Sequence, residues 1–241
     1  RPSYADPQAA AFAEAAARRR KAFNALFWRG DLGRWVDVWL PEAAATSAAE
    51  VPKVGFRAVM GARQAAPWTT LADFAAPLWA DLATPQQVDK SIAAFKRSGL
   101  FGPGGAATTT DASGQQWDRP NAWAPLQSML IDGLQAHGGA AGADLALDLA
   151  RVWVGTCHAA WRSSGFMYEK YDAMKFGHGG DGGEYEPQVG FGWSNGVVLR
   201  LLEQYGDRLL YGRGSVLAAL RRPAEPLASQ PWQTATFHLM M

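Results

Sequence analysis

The stretch Met167–Gly196, MYEKYDAMKFGHGGDGGEYEPQVGFGWSNG, contains the residues on which the predictions of fold and function depend most. Eight glycines lie between Gly177 and Gly196. Glycine at that density costs chain entropy, and it is favoured where a ligand must come close to the backbone. The segment Gly177–Gly192, called the Gly-rich loop below, is not a phosphate loop. It lacks both the Lys-Ser/Thr ending and the strand-to-helix setting of such loops.

Two acidic residues are candidates for chemistry here, one before this loop and one within it. Glu169 and Glu184 lie fifteen positions apart in the sequence. Hydrolysis of a glycoside usually needs two carboxyl groups, one that protonates the leaving oxygen and one that activates water or attacks carbon. The alternative is that the Gly-rich loop is a flexible linker. Linkers rarely carry aromatic residues, however, and three lie in this loop or directly after it, Tyr185, Phe191 and Trp193.

A second stretch, Gln115–Gln127 (QQWDRPNAWAPLQ), lies just before a predicted helix. Its two prolines restrict their own backbone and that of the preceding residues, which fixes the directions of the side chains. Trp117 could stack on a sugar face while Gln116 and Asp118 bind sugar hydroxyls. Alternatively, the stretch is a capped helix start in which Trp117 and Trp123 are core rings.

The composition of the 241 residues is that of a globular protein, with 48% hydrophobic and 19% charged residues. The net charge of +1 does not favour binding to nucleic acid or to an anionic membrane surface. The longest apolar runs are too short to span a bilayer, so no transmembrane segment is predicted in this chain. The 11 Trp, 11 Phe and 6 Tyr residues suit a carbohydrate site, although many of them must be core rings.

Two local features have a structural and a functional interpretation. The basic run Arg18–Lys21 lies in an Ala-rich helical stretch, so it is either a solvated helix face or a site for a polyanion. Cys157 is the one cysteine of the chain, so no internal disulfide is possible. We interpret it as a buried structural thiol and not as a nucleophile, because no second feature supports its activation.

The pattern along the chain is mostly helical, and no convincing strand repeat occurs. Thr84-Pro85 is a strong start signal, an N-cap followed by proline at the first helical position. Residues 34–40 alternate and predict a short extended piece, and residues 42–61 predict a long loop. The sequence therefore predicts an all-α fold of about seven helices with long Gly-rich loops. Six of these helices have bounds that the pattern indicates, at residues 7–28, 84–98, 124–137, 143–164, 194–205 and 215–220.

The motifs resemble those of one glycosidase family, the α,α-trehalases of glycoside hydrolase family 37. QQWDRPNAWAPLQ resembles the family signature QWD-x-P-N/G-G/A-W-x-P-L-Q. GGDGGEYEPQVGFGWSNG resembles the segment ending GGGGEY-x-x-Q-x-GFGWTNG, and MYEKYD resembles the segment that precedes it. With weaker matches at KAFNALFWRGDLGRWVDVWL and DFAAPLWA, the resemblance extends over roughly Ala22 to Leu202.

The resemblance implies the C-terminal portion of an (α/α)6 barrel, with residues 1–222 in the catalytic domain. The prolines at 223, 226 and 231 predict that residues 223–241 form an extended tail. The resemblance also implies an inverting hydrolysis of trehalose to two glucose molecules, without cofactor or metal. Matched motif by motif, Glu169 is the catalytic base, Glu184 is a substrate-binding carboxylate, and Trp117 lines the second glucose site. His178 and Asp181 depart from the family pattern, so the loop tip is either exposed and tolerant or altered as a lid of the pocket.

The largest departure from the family pattern is that the motif of the general acid does not occur in this sequence. The family's general acid is an Asp in a Gly-Trp-Asp segment that precedes the region matched here, and Asp31, Asp37 and Asp81 do not lie in that motif. Fewer helices are predicted than a complete barrel has. We therefore expect an N-terminal half of the same enzyme as partner. The alternative is a trehalase-like, non-catalytic sugar-binding or structural subunit. The compartment stays open, with a secreted location favoured over a cytoplasmic one.

Overall fold

The computed structural model describes residues 7–39, 64–65 and 68–210. Within these residues the chain forms six helices and several very short strands, which confirms the all-α class. The predicted loop 42–61, the predicted helix 215–220 and the predicted tail 223–241 lie outside the described residues. The helices are α1 (Pro7–Phe27), α2 (Ala72–Trp79), α3 (Pro85–Arg97), α4 (Ala124–His137), α5 (Gly139–Ser164) and α6 (Gly192–Leu210).

Four antiparallel strand pairs tie the loops between these helices together: β1 with β2, β3 with β4, β5 with β6 and β7 with β8. β2 and β3 fall within the stretch 34–40 that the sequence predicted to be extended. The strands are β1 (Trp28–Arg29), β2 (Arg34–Trp35), β3 (Val38–Trp39), β4 (Gln64–Ala65), β5 (Phe101–Gly102), β6 (Gly105–Ala106), β7 (Asn121–Trp123) and β8 (Lys170–Asp172).

Local start and stop signals explain α3. The side chain of Thr84 accepts a hydrogen bond from the backbone N–H of Gln87, and the side chain of Gln87 accepts one from the N–H of Thr84. This capping box satisfies two backbone donors that the first helical turn leaves unpaired. The helix ends before Gly99, whose φ of +74° lies in the left-handed region that glycine adopts without strain.

Helix α2 was not predicted, because it contains Pro77. A proline inside a helix removes a backbone donor and usually ends the helix, so DFAAPLWA did not favour one. The helix is stabilised by packing instead. A Cβ atom at Gly133 of α4 would lie 2.6 Å from Cβ of Leu78, so glycine is what allows α2 and α4 to approach this closely.

Helices α4 and α5 form a hairpin with a single residue, Gly138, between them. A Cβ atom at Gly138 would lie 2.5 Å from Cα of Gly142, and one at Gly142 would lie 2.6 Å from the carbonyl oxygen of Leu134. Two glycines therefore make the tight turn possible. The turn itself was predicted, but α5 begins four residues before the predicted start at residue 143.

The core is formed where α4 packs on α2, α5 and α6. Leu130 and Ile131 of α4 and Trp153 of α5 are completely buried there. Cys157 of α5 is buried as well, and burial raises the pKa of its thiol, which confirms the prediction of a structural thiol. No helix within the described residues is both long enough and apolar enough to cross a membrane.

The basic run Arg18–Lys21 lies on the exposed surface of α1. Arg18 donates a hydrogen bond to Glu14 at 2.5 Å, and Arg20 donates one to Asp81 at 2.6 Å. Two of the four charges are thus engaged by acidic neighbours, as expected for a solvated helix face.

Candidate active site

The two sequence motifs meet in the pair of strands β7 and β8. Asn121 lies opposite Asp172, and Trp123 lies opposite Lys170. All residues of both strands are buried. The pairing joins QQWDRPNAWAPLQ to MYEKYD, so that the end of the first motif and Glu169, directly before β8, are fixed relative to each other.

The two tryptophans of the first motif differ in their exposure to solvent. Trp123 is 1% exposed and is a core ring, whereas Trp117 is 41% exposed. The rings are stacked, with their centroids 4.0 Å apart and their planes 7° from parallel. Trp123 also contacts Trp193 edge to face at 5.5 Å. The core interpretation is therefore right for Trp123, while the indole of Trp117 is partly exposed to solvent and is supported by the buried ring of Trp123.

The polar residues beside Trp117 are less available than predicted. The carboxylate of Asp118 accepts a hydrogen bond from the hydroxyl of Ser113. The side-chain oxygen of Gln116 is buried and has no hydrogen-bond partner among the described residues. Neither group is presented to solvent in the way that Trp117 is.

The Gly-rich loop is held by defined contacts, which disfavours the alternative interpretation of a flexible linker. The N–H of Gly180 donates to the carbonyl of Lys170 at 2.9 Å, and the N–H of Gly183 donates to the carbonyl of Gly114 at 3.1 Å. The amide of Asn121 donates to the carbonyl of Asp181 at 2.8 Å and accepts from its N–H at 3.1 Å. Contacts with both motifs therefore fix the course of the loop.

Glu169 is the buried carboxylate of the site, 4% exposed. Its Oε1 accepts a hydrogen bond from the hydroxyl of Tyr185 at 2.7 Å, and its Oε2 accepts one from the backbone N–H of Gln188 at 3.0 Å. Its carbonyl oxygen accepts from the indole N–H of Trp193 at 2.9 Å and from the hydroxyl of Ser194 at 3.3 Å. The segment from Tyr185 to Ser194 thus fixes both the backbone and the side chain of Glu169.

Two donors on the Glu169 carboxylate leave acceptor capacity for a further partner. An ionised carboxylate can accept about four hydrogen bonds, two on each oxygen. The hydrogen bond to Glu169, reinforced by partial burial, raises the pKa of Tyr185. Tyr185 therefore remains a donor throughout the neutral range, and the two oxygens of Glu169 keep free acceptor positions beside the donors Tyr185 and Gln188.

Glu184 lies in the Gly-rich loop, and its environment differs from that of Glu169. It is exposed, and no hydrogen bond or ion pair of its side chain occurs among the described residues. The preceding residue, Gly183, contacts Gln116 so closely that a Cβ atom there would lie 2.4 Å from Cβ of Gln116. The loop therefore brings Glu184 next to the segment that carries Trp117.

His178 and Asp181, which depart from the family pattern, are both exposed. The carboxylate of Asp181 accepts a hydrogen bond from the N–H of Gly182 at 2.7 Å, so it stabilises its own turn. Within the described part of the chain, no three His, Cys, Asp or Glu side chains lie together in a way that could hold a metal ion.

Three residues of the site were not identified as such from the sequence: Tyr185 as the partner of Glu169, and Lys170 and Asn121 as supports of the loop. Tyr185 was noted for being aromatic, but sequence spacing cannot show that a long loop closes on Glu169. A lysine in a buried strand would have indicated a special role for Lys170, but the sequence did not show that residues 170–172 form such a strand.

Comparisons with known proteins are consistent with this geometry. The family model described as Trehalase matches residues 4–206. A probable trehalase from Oryza sativa subsp. japonica is 38% identical over 197 residues, which cover 81% of this chain and 34% of that protein. The trehalase of Homo sapiens is 42% identical over 164 residues, covering 65% of this chain and 28% of that protein. The periplasmic trehalase of Pseudomonas aeruginosa is 47% identical over 130 residues, which cover 54% of this chain and 23% of that protein.

Among solved structures, the neutral trehalase of Saccharomyces cerevisiae has a TM-score of 0.60 and 23% sequence identity. The match covers 90% of this chain and 37% of the yeast chain, and at that identity it concerns the fold alone. The chain thus spans about a third or less of the length of these relatives.

Proposed function

This chain belongs to the trehalase family, and we propose on that basis that it supplies the base and part of the sugar pocket for hydrolysis of α,α-trehalose to two glucose molecules. The observation that carries the proposal is the setting of Glu169. Its carboxylate is buried, and Tyr185 and Gln188 each donate to one of its oxygens. A general base needs such fixed geometry and a remaining acceptor site for water.

In the proposed reaction Glu169 removes a proton from a water molecule as the water oxygen attacks one anomeric carbon. The attack comes from the face opposite the bridging oxygen. The bond from that carbon to the bridging oxygen breaks, and a general acid gives its proton to the leaving oxygen of the second glucose. The attacked carbon is therefore inverted, and the two carboxyl groups of such a pair stand about 6.5–9.5 Å apart to leave room for the water.

Glu184 and Trp117 are proposed to bind the sugar. Glu184 is exposed and free of other side-chain partners among the described residues, so its carboxylate can accept hydrogen bonds from glucose hydroxyls. Trp117 offers a flat apolar face supported by Trp123, which suits the C–H face of the second glucose ring. Both lie in segments that Gly183 and Gln116 hold in contact.

The general acid is proposed to come from a part of the enzyme that precedes the matched region. The chain spans 34% of the rice relative, so most of such a protein has no counterpart here. Several apolar residues beside the site are also exposed, as expected if another segment covers them: Trp117, Phe166, Tyr185 and Val189. The partner would then be the N-terminal half of the same enzyme.

The stereochemistry of the products tests this mechanism. Proton NMR during the first minutes of trehalose hydrolysis distinguishes α-glucose from β-glucose before the anomers equilibrate. Inversion at one carbon produces one β-glucose, while the leaving glucose keeps its α configuration, so equal amounts of the two anomers are expected. Production of α-glucose alone would contradict an inverting mechanism. Binding of trehalose without any glucose release by the intact protein, with the part that would supply the general acid present, would contradict hydrolysis and favour a non-catalytic sugar-binding subunit.

A further inference from the structure

Lys170 is a fully buried lysine beside the proposed base, with an exposed fraction of 0%. Its ammonium donates hydrogen bonds to the carbonyl oxygens of Gly182, at 2.7 Å, and Asp181, at 3.1 Å. The ammonium also lies 5.6 Å from the centroid of the Trp123 ring. No ion pair to Lys170 occurs among the described residues, so this charge is used to bind the backbone of the Gly-rich loop.

Burying a lysine in this way costs free energy of folding. Removing an ammonium from water is unfavourable unless hydrogen bonds replace the lost hydration. Burial lowers the pKa of Lys170, and the negative charges of Glu169 and Asp181 oppose that shift. Methionine would fill a similar space without any charge to desolvate. Because the ammonium binds two carbonyl oxygens of the loop, Lys170 has a role other than filling the core.

Asn121 holds the loop at the same point from the neighbouring strand. Its side chain binds both the carbonyl and the N–H of Asp181. Glycine at position 180 is required for this arrangement. A Cβ atom there would lie 2.4 Å from Oδ1 of Asn121 and 3.0 Å from Cγ of Lys170.

The loop continues directly from this point into the site. Glu184 follows Gly183, and Tyr185 comes next, with its hydroxyl 2.7 Å from Oε1 of Glu169. We propose that Lys170, together with Asn121, is a positioning residue that holds residues 181–183 so that Glu184 reaches the sugar and Tyr185 reaches the base. The kinetic consequence of this inference rests on the proposed function, whereas its structural consequence does not.

The test compares Lys170→Met with Lys175→Met in the intact protein. Lys175 is exposed, and no side-chain hydrogen bond or ion pair of Lys175 occurs within the described residues, so the second variant controls for the loss of one lysine. Hydrogen exchange is measured for the amides of residues 177–186, several of which donate hydrogen bonds that fix the loop. Lys170→Met is expected to speed exchange in this segment and not in α4 or α5, while Lys175→Met leaves it unchanged.

Trehalose kinetics provide the second readout. A displacement of about 1 Å at a reacting group can cost about 100-fold in rate, so Lys170→Met is expected to lower kcat/KM by about 10- to 100-fold. Because Lys170 and Asn121 hold the same carbonyl, Asn121→Ala should add little to the loss in the double variant. A general loss of stability would instead lower the melting temperature without this coupling.

The outcomes separate the two proposals. Loop exchange in Lys170→Met that equals that of Lys175→Met would overturn the inference, regardless of activity. Faster loop exchange in a protein whose unaltered form releases no glucose would support the positioning role and contradict the proposed function. If Lys170→Met fails to fold, Asn121→Ala takes its place, and unchanged loop exchange in that variant would equally overturn the inference.

Discussion

The hydroxyl of Tyr185 lies 2.7 Å from Oε1 of Glu169 and donates a hydrogen bond to it across a loop of the chain. The other oxygen, Oε2, is held by the backbone N–H of Gln188. Of the two contacts, the one from Tyr185 comes from a side chain and can be removed by deleting a single atom. It is therefore the contact through which the orientation of the proposed base can be tested.

Tyr185→Phe is expected to lower kcat for trehalose by about 10- to 100-fold while KM changes little. A hydrogen bond to a charged group contributes about 1.5–3 kcal/mol, and here it orients a group that acts in the chemical step. Steady-state kinetics of the purified protein measure both constants. Tyr168→Phe is the matched control, because no hydrogen bond of its hydroxyl occurs among the described residues. A Tyr185→Phe variant with the kcat of the unaltered protein would show that Tyr185 does not position Glu169.

Gly183→Ala is expected to reduce activity more than a change of one methyl group suggests. Gly183 has a φ of +92°, and its Cβ atom would lie 2.4 Å from Cβ of Gln116. The strain of a non-glycine residue at such a φ is about 1–2 kcal/mol, and the steric overlap adds to it. The loop should shift, and kcat/KM should fall at a temperature where the protein remains folded.

The control for this change is Gly196→Ala in α6, where a Cβ atom would meet no heavy atom within 4 Å. Alanine favours a helix over glycine by about 1 kcal/mol, so this variant should keep its activity and melt at the same or a higher temperature. Full activity of Gly183→Ala would contradict a fixed loop.

Trp117→Ala is expected to raise KM for trehalose about 10-fold, with a smaller effect on kcat, because stacking on a sugar ring contributes to binding. The melting temperature should also fall, because the stacking on Trp123 is lost, so KM is measured at a temperature where the variant remains folded. Trp79→Ala is the control. Trp79 is also exposed, but it lies beside Gly133, which is nine residues after Ala124, the first residue of α4. Equal effects of the two changes on KM would contradict a sugar-binding role for Trp117.

The pH dependence of stability should report on His158. Burial and the positive charge of Arg162 lower its pKa from 6.5. The unfolded chain then binds a proton at about pH 6.5, before the folded protein does, so stability falls as the pH drops through that value towards the lowered pKa. Melting temperatures between about pH 7.5 and pH 5 should fall less for His158→Gln than for the unaltered protein. His178→Gln, at an exposed position, should retain the original pH dependence.

The sequence predicted those parts of the structure that local signals determine. The Thr84-Pro85 start of α3 and the break near Gly138 need only neighbouring residues, and both were predicted correctly. Helix α2 was missed because Pro77 contradicts a helix locally, while its stability comes from packing against α4 at Gly133.

The site was predictable only in part. Glu169, Glu184 and Trp117 were chosen because the motifs resemble a family, and the roles of these residues stay predictions. The contacts of Tyr185 and Lys170 were not predicted, because they depend on how the loop closes over strand β8. No sequence spacing determines that closure. It follows from the pairing of β7 with β8, which joins segments about fifty residues apart.

The most direct test of the account is glucose release from trehalose by the intact protein, beside Glu169→Gln and Glu186→Gln. Glu186 lies in the Gly-rich loop, close in sequence to Tyr185 and Gln188, and is exposed, so it controls for the loss of one carboxylate near the site. Glu169→Gln is expected to lower kcat by about 10²- to 10⁴-fold, the usual contribution of a general base, while kcat of Glu186→Gln stays close to that of the unaltered protein. Glucose release at an unchanged rate by Glu169→Gln would contradict the assignment of Glu169 as the base.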